Sequence, residues 1–433
     1  MVNFKNLVIV ATTLIGCTSS APTSPTNEVS DVSDIIPGSY IITLKPQIKP
    51  AKVKAHLNWV GDVHKRSLTK RDSDLGVEKT YDNKAGFHAY AGTFDPSTIK
   101  EIKKSSDVVH VEPDRRVTLS WNEDTPEEQH EDEPEDDQVD QSQFDRRDEI
   151  NQGTATWSLS AVSRRVKGFN NYYYDSGAGD DSYAYIVDSG VRTTHKEFQG
   201  RAKGVYTAFK RDYTDRLGHG THVAGIIAGK TFGVAKRAQI LSVKVFQGKS
   251  ADLSVILEGI NWAVQDIINK DRQEFAVINL SLGVDGVSAA MNMAVENAAK
   301  AGVVCVVASG NAGKNTATTS PGSAKNVITV GAIDKNWSVA SFSNWGPSVD
   351  IMAPGVGVIS ASWKSDKGTY IQSGTSMAAP HVAGLVLYAQ SVEGVVGVSK
   401  TTAWLKKVGT RNKISGKLRN APNLIANNNN FLQ

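Results

Sequence analysis

Beyond about residue 149 the chain repeats one pattern: an almost wholly apolar run, then a stretch with helical periodicity. The runs are YAYIVD (183–188), QILSVKVF (239–246), FAVINLSL (275–282), VVCVVAS (303–309) and NVITVGA (326–332). The helical patterns fall at 219–228, 251–269, 287–300 and 376–390. A strand that is apolar along its whole length must be covered on both faces, and the intervening helices supply the cover. The expectation for 149–433 is therefore an α/β fold, a mostly parallel sheet with helices on both sides. Ligands on such sheets sit at the carboxyl ends of the strands. No internal repeat is visible.

The first third has a different texture. Residues 38–117 read as a small α+β unit with strands at 39–44, 87–94 and 108–113 and helices at 52–60 and 96–104. That order suits an antiparallel sheet with helices on one face. Ahead of it, Lys5 precedes an apolar run from 7 to 17 that is too short to span a bilayer, so 1–21 read as a signal peptide. Half of the residues from 122 to 145 are Asp or Glu, which leaves too little apolar surface to fold. This acidic linker, 122–148, ends on Arg146 and Arg147, and the expected processing cut is Arg147–Asp148. The division is thus signal 1–21, an N-terminal unit 22–121, linker 122–148 and a main domain 149–433.

Composition excludes several classes. The net charge of +3 over 433 residues argues for neither nucleic acid nor a membrane surface as partner. Cys17 falls in the signal and Cys305 stands alone in an apolar run, so the mature chain is expected to lack an internal disulfide. Cys305 reads as a small buried hydrophobe.

Three segments carry chemistry. YIVDSGV places Asp188 just past a buried strand, GHGTHVAG places His219 at the mouth of a helix, and SGTSMAAPHVAG places Ser376 at the start of another. A serine hydroxyl needs a neutral imidazole to take its proton and a buried carboxylate to orient that imidazole. Asp188, His219 and Ser376 meet that demand. Gly218, Gly220 and Gly374 are expected to permit close backbone approach. An acyl-transfer site also needs donors for the developing oxyanion. The amide of Asn311, just after an apolar run, and the Ser376 N–H are the candidates. The order Asp, His, Ser differs from the Ser-first order of the other α/β hydrolases, and no G-x-S-x-G elbow surrounds Ser376.

YIVDSG, GHGTHVAG, ASGN and SGTSMAAPHVAG together resemble the four signature segments of the subtilisin superfamily, and FGVAK (232–236) resembles its proteinase K and cerevisin branch. The resemblance spans nearly everything from Trp157 to about Ala426. It implies a secreted serine endopeptidase, with the vacuole as the alternative destination, acting as a monomer on proteins and peptides. Residues 38–117 resemble the family's ferredoxin-like propeptide, an intramolecular inhibitor and chaperone. By the same resemblance, Ser281, Leu282 and Gly283 form one rim of the substrate cleft. Residues 249–253, ending at Leu253, form the other. Ala308, Ser309 and Gly310 line the first specificity pocket, with Thr316 near its base. Asp350 with the carbonyls of Lys325 and Val327 matches a structural calcium site. Val223 stands where the branch carries a cysteine, a second calcium site lacks its acid near 415–420, and the acidic linker is an unusual insertion.

Competing readings are weaker. His219 and His222 lack a third zinc ligand and the glutamate of an HExxH helix. GKT (229–231) and GKS (248–250) lack the earlier glycine of a phosphate loop, since Ala224 and Val243 stand there. A catalytically silent protein of this fold would be missing a member of the triad or the oxyanion donor, and none is missing. A propeptide released as a free-standing inhibitor is a third reading. Asn279 and Asn336 head Asn-x-Ser/Thr triplets. Asn279 falls in a core strand, so Asn336 is the expected glycan site.

Overall fold

The computed structural model describes residues 34–46, 48–67, 76–119, 121–123 and 149–432. The signal segment, Cys17, the acidic stretch from 124 and the Arg147–Asp148 bond lie outside the described residues.

The first unit runs β1 (Ile35–Leu44), α1 (Pro50–Ser67), β2 (Gly76–Asp82), β3 (His88–Thr93), α2 (Pro96–Ile102) and β4 (Val108–Thr118). The strands pair antiparallel in the order β2-β3-β1-β4. The alternation in β1 sorts its residues between faces. Ile42 and Leu44 join Tyr90, Phe94 and Ile99 under the helices, while Ile41 points to the opposite face. Asp95 caps α2 by accepting the Ser97 and Thr98 N–H groups, with Pro96 in the first turn. The sequence reading lacked β2, an edge strand whose Glu78 is exposed and whose charged residues blur the alternation. It also ended β4 five residues short and made α1 too brief.

The remainder comprises β5 (Asn122–Glu123), β6 (Glu149–Gln152), α3 (Trp157–Ala161), β7 (Tyr172–Asp175), β8 (Tyr183–Asp188), β9 (Ala202–Thr207), α4 (His219–Ala228), β10 (Gln239–Lys244), β11 (Ser250–Asp252) and α5 (Leu253–Asn269). Then follow β12 (Ala276–Leu280), β13 (Val284–Asp285), α6 (Ala289–Lys300), β14 (Val304–Ala308), β15 (Thr319–Ser320), β16 (Ile328–Ile333), β17 (Ile351–Pro354), β18 (Val358–Ala361) and β19 (Thr369–Ser373). The chain closes with α7 (Thr375–Val392), α8 (Val398–Val408), β20 (Thr410–Arg411) and β21 (Leu424–Ile425). Among the described residues nine strands form the central sheet, in the order β20-β21-β17-β16-β14-β12-β8-β10-β9. All neighbours are parallel except β20 and β21.

Both faces of this sheet are covered, as the apolar runs require. Ala184, Ile186, Val277, Val304 and Val306 pack with α4 and α7 on one side. Tyr185, Val187, Ile278, Cys305 and Val307 pack with α5 and α6 on the other. The Cys305 thiol is fully buried and burial pushes it up to about 12, which makes it an inert packing group. The second core does not stop at α5 and α6. Ile41, Tyr81, Phe87, Ala89, Ala91, Val117 and Leu119 belong to it too. The open face of the N-terminal sheet therefore lies on these two helices, and β4 adds β11 as a fifth strand.

Candidate active site

The parallel sheet delivers its strand ends to one edge. Asp188 is the last residue of β8 and is fully buried. Its two carboxylate oxygens lie 2.8 and 2.9 Å from His219 Nδ1. His219 opens α4, and its Nε2 has no hydrogen-bond partner. An imidazole held through Nδ1 by a buried carboxylate presents Nε2 as a proton acceptor.

Two glycines make that approach sterically feasible. Gly218, with φ +87°, is the residue before the helix, and a Cβ there would lie 2.0 Å from the Trp363 ring. A Cβ on Gly220 would lie 2.1 Å from the Gly190 carbonyl. The neighbour is thus the protein's own backbone and ring rather than a substrate. Gly374, with φ 165°, is extended and needs no glycine on conformational grounds.

Ser376 sits in the first turn of α7. Its hydroxyl donates to the Ser281 carbonyl at 3.1 Å, while Ser281 Oγ donates to the Ser376 carbonyl at 2.8 Å. Asn279 on β12 pairs with Ile186 on β8, so Ser281 and Asp188 leave neighbouring strands at the same level. The sheet thereby brings the Ser376 and His219 segments to one edge. Asn311 Oδ1 accepts the N–H and the O–H of Thr375, both at 2.8 Å. Its Nδ2 lies 3.4 Å from where a Gly374 Cβ would be, beside the turn that leads to Ser376.

His222, His381 and His195 are each tied to a backbone carbonyl. His222 Nε2 contacts the Val358 and Tyr370 carbonyls at 3.0 Å, and burial pushes its pKa down to about 3. His381 Nδ1 donates to the Met377 carbonyl, and burial holds it near 4. His195 bonds the Gly368 carbonyl and the Glu197 N–H. Among the described residues no cluster of three His, Cys, Asp or Glu side chains could hold a metal.

Of the expected subsite residues, Ser281 and Gly310 bond directly to the Ser376 segment. Ala308 ends β14, Ser309 and Gly310 follow, and the Gly310 N–H donates to Thr375 Oγ1 at 3.1 Å. Gly322 stands between Ser309 and Thr316, with its Cα hydrogen aimed at Thr316 Cγ2 and the Ser309 carbonyl. Ser281 and Leu282 are buried, Gly283 is exposed, and all three lie outside any strand. Leu253 begins α5 and is fully buried in the second core. Asp350 Oδ1 pairs with Lys406 Nζ at 2.7 Å and Oδ2 accepts the Thr329 N–H. The oxygen chemistry suits a hard cation, but an ammonium already holds the carboxylate. Asn336 is exposed in a turn, whereas Asn279 is fully buried with its amide donating to Ser281 Oγ.

The end of the N-terminal unit and the strand after it pair with two segments of the main domain. Val117 pairs with Ala251 and Thr118 with Ser250, antiparallel, and the Leu119 N–H donates to the Lys249 carbonyl at 2.9 Å. Beyond it, β5 pairs with β19, Asn122 opposite Ser373 and Glu123 opposite Gln372. Between these anchors the Trp121 ring lies 4.9 Å from that of His219, with Lys249 Nζ 5.4 Å from its centre.

Two carboxylates that the sequence reading passed over hold this unit in place. Glu112 Oε1 accepts the Ala290 N–H at 2.8 Å and the Ser288 hydroxyl at 3.0 Å, at the start of α6. Asp114 Oδ1 accepts the Ser254 N–H at 3.1 Å at the start of α5, whose own Asp252 makes no side-chain cap. Burial raises the Asp114 carboxyl above its ordinary value. Both satisfy orphan helix N–H groups with a negative charge. The signal was present in VVHVEPDRRV, where two acids alternate along one face of a strand, but their partners lie about 140 to 180 residues away. Around them, Tyr81 donates to the Ser254 carbonyl, Lys79 pairs with Glu258, and Asn83 donates to Asn261.

Comparison with known proteins agrees with this geometry. A model described as the subtilase family matches residues 179–418, and one described as peptidase inhibitor I9 matches 39–120. Alkaline protease 1 of Aspergillus oryzae is 43% identical over 413 residues, covering 94% of this chain and 95% of its own. Alkaline proteinase of Hapsidospora chrysogena is 43% identical over 437 residues, covering 99% and 100%. The crystal structure of a cold-adapted subtilisin-like serine proteinase is 35% identical, with a TM-score of 0.58, covering 64% of this chain and 98% of that one.

Proposed function

Because this chain belongs to the subtilase family and carries an I9 inhibitor domain ahead of its peptidase domain, we propose that Asp188, His219 and Ser376 are the relay by which this serine protease hydrolyses peptide bonds. One observation supports the reading above the rest: the buried Asp188 carboxylate holds His219 Nδ1 through both oxygens. Ser376 Oγ leaves the Ser281 carbonyl, passes its proton to His219 Nε2 and attacks the substrate carbonyl. Asp188 stabilises the imidazolium, which then protonates the departing amine. Water releases the acyl group by the same steps in reverse. Asn311 Nδ2 and the Ser376 N–H receive the oxyanion, and losing one such donor raises the barrier by about 3 kcal/mol.

The substrate takes the path marked by residues 116–119 along β11 on one side of the serine and by residues 122–123 along β19 on the other. Ala308, Ser309, Gly310 and Thr316 form the pocket for the residue before the cut. Maturation then involves a self-cut between Leu119 and Asn122 and removal of the acidic linker at Arg147–Asp148. Calcium at Asp350, with the Lys325 and Val327 carbonyls, has to displace Lys406, and no catalytic step runs through it. Among the described residues no helix is long and apolar enough to cross a membrane. We place the mature enzyme outside the cell as a monomer without nucleic-acid or membrane partners, with a glycan at Asn336. In the test, Ser376→Ala loses casein hydrolysis by a factor of order 10⁶ and all fluorophosphonate labelling. Labelling that persists in that variant refutes the assignment.

A further inference from the structure

We propose that Asp215 is a positioning residue for His219, a second buried carboxylate that builds the helix cap the imidazole stands on. This rests on the assignment of His219 as the general base. Helix α4 begins behind a glycine, because the Trp363 ring leaves no room for a side chain at Gly218. Gly218 therefore offers no capping oxygen, and the helix would start with unsatisfied N–H groups next to the base. Two residues outside the helix fill the gap. Asp215 Oδ2 accepts the Thr221 N–H at 3.0 Å and the Thr221 hydroxyl at 2.6 Å. Ser189 Oγ accepts the Gly220 N–H at 3.0 Å and donates to Asp215 Oδ1 at 2.9 Å. Asp215 Oδ1 also accepts the N–H groups of Leu217 and Gly218, at 3.0 and 2.9 Å.

Asp215 thus receives five hydrogen bonds, all from donors, as an ionised carboxylate demands. Ser189 is the residue after Asp188. Its hydroxyl is tied to Asp215 and its carbonyl accepts from Lys244 Nζ at 2.6 Å. One carboxylate therefore fixes the loop before His219, the first turn that carries it and the strand end that carries its partner Asp188. The charged groups facing this knot are Asp188, His219 and Lys244 from the neighbouring elements, and Asp212 and Arg216 on its own loop. The imidazole's distance to both Asp188 and Ser376 follows from the knot, and small misplacements of a catalytic group lower turnover by large factors.

Asp215→Asn keeps the shape, removes the charge and faces Thr221 with an amide donor in place of an acceptor. The matured enzyme is assayed on a fluorogenic peptide per fluorophosphonate-titrated site, beside Glu197→Gln, which loosens the other end of α4 where Glu197 Oε2 accepts the Thr231 and Phe232 N–H groups. The expected result is a kcat lowered about 10- to 100-fold with KM within about twofold. The midpoint of the inactivation rate against pH also moves down, because a negative charge near the imidazolium is gone. Glu197→Gln is expected to lower the unfolding temperature without either change. If Asp215→Asn lowers only the unfolding temperature, the proposal is overturned. If that variant does not fold, Ser189→Ala and Thr221→Val decide, each expected to lower kcat about 3- to 10-fold with KM held. An unchanged kcat in both overturns it. Failure of the assignment of Ser376 would show separately, as labelling of Ser376→Ala.

Discussion

Replacing Glu112 by Ala separates the propeptide from the cleft without touching the cleft. The Glu112 carboxylate accepts one backbone N–H and one hydroxyl at the start of α6. A hydrogen bond to a charged group contributes about 1.5–3 kcal/mol, and water recovers part of that when the site opens. A loss of about 2–4 kcal/mol in docking follows, which raises the opening constant roughly 30- to 700-fold at 1.4 kcal/mol per tenfold. Hydrogen exchange in a Ser376→Ala background, which stops self-digestion, reads that constant in peptides covering 108–119 and 250–252. Glu112→Gln, which keeps an acceptor and loses the charge, should fall between. Lys79→Ala is the contrast. Its pair with Glu258 is about a third exposed on each side and is worth at most about 1 kcal/mol. If Glu112→Ala exchanges no faster than its parent, the helix-capping account of docking is wrong.

Further outcomes follow from the same structure. Trp121→Ala removes the ring over His219 and should speed fluorophosphonate labelling of the precursor several-fold, whereas equal rates would mean the ring blocks nothing. His381 stays neutral in the fold down to about 4 against an ordinary 6.5, so its contribution to stability is present above 6.5 and lost as pH falls towards 4. His381→Phe should therefore flatten the fall in unfolding temperature of the mature domain across that window, and an unchanged slope contradicts the sign. Lys406→Ala should enlarge the rise in unfolding temperature that calcium gives over EDTA, since Asp350 loses its competing cation. A chain indifferent to calcium in both forms removes the metal from Asp350. N-terminal sequencing during maturation should find a transient end within 120–122 and a later one at 148. A single end at 148 excludes the self-cut.

The peptidase core was readable because its information is local. Runs such as YAYIVD are apolar at every position, so strand, burial and parallel pairing follow together, and α4 runs over 219–228 as expected. The three side chains proposed as the relay sit at element ends, where glycine and small residues mark them. What escaped was information held across distance. Asp215 looks like an ordinary loop acid until Ser189 and Thr221 are placed around it. Glu112 and Asp114 gain meaning only from helices that begin at 289 and 253. The hairpin of β18 and β19 and the short strands β20 and β21 at one end of the sheet have too few residues to show a period.

The pairing of β4 with β11 uses amide and carbonyl groups, and every peptide carries the same ones. A rim of this kind grips by length and extension, whatever side chains hang from the strand. On the proposed subsite assignment, selectivity is thereby left to the side chains around Ser309 and Thr316, and folded proteins would escape the enzyme chiefly because their strands are already paired elsewhere. Digestion should accordingly track how readily a target frays, more than which residues it contains.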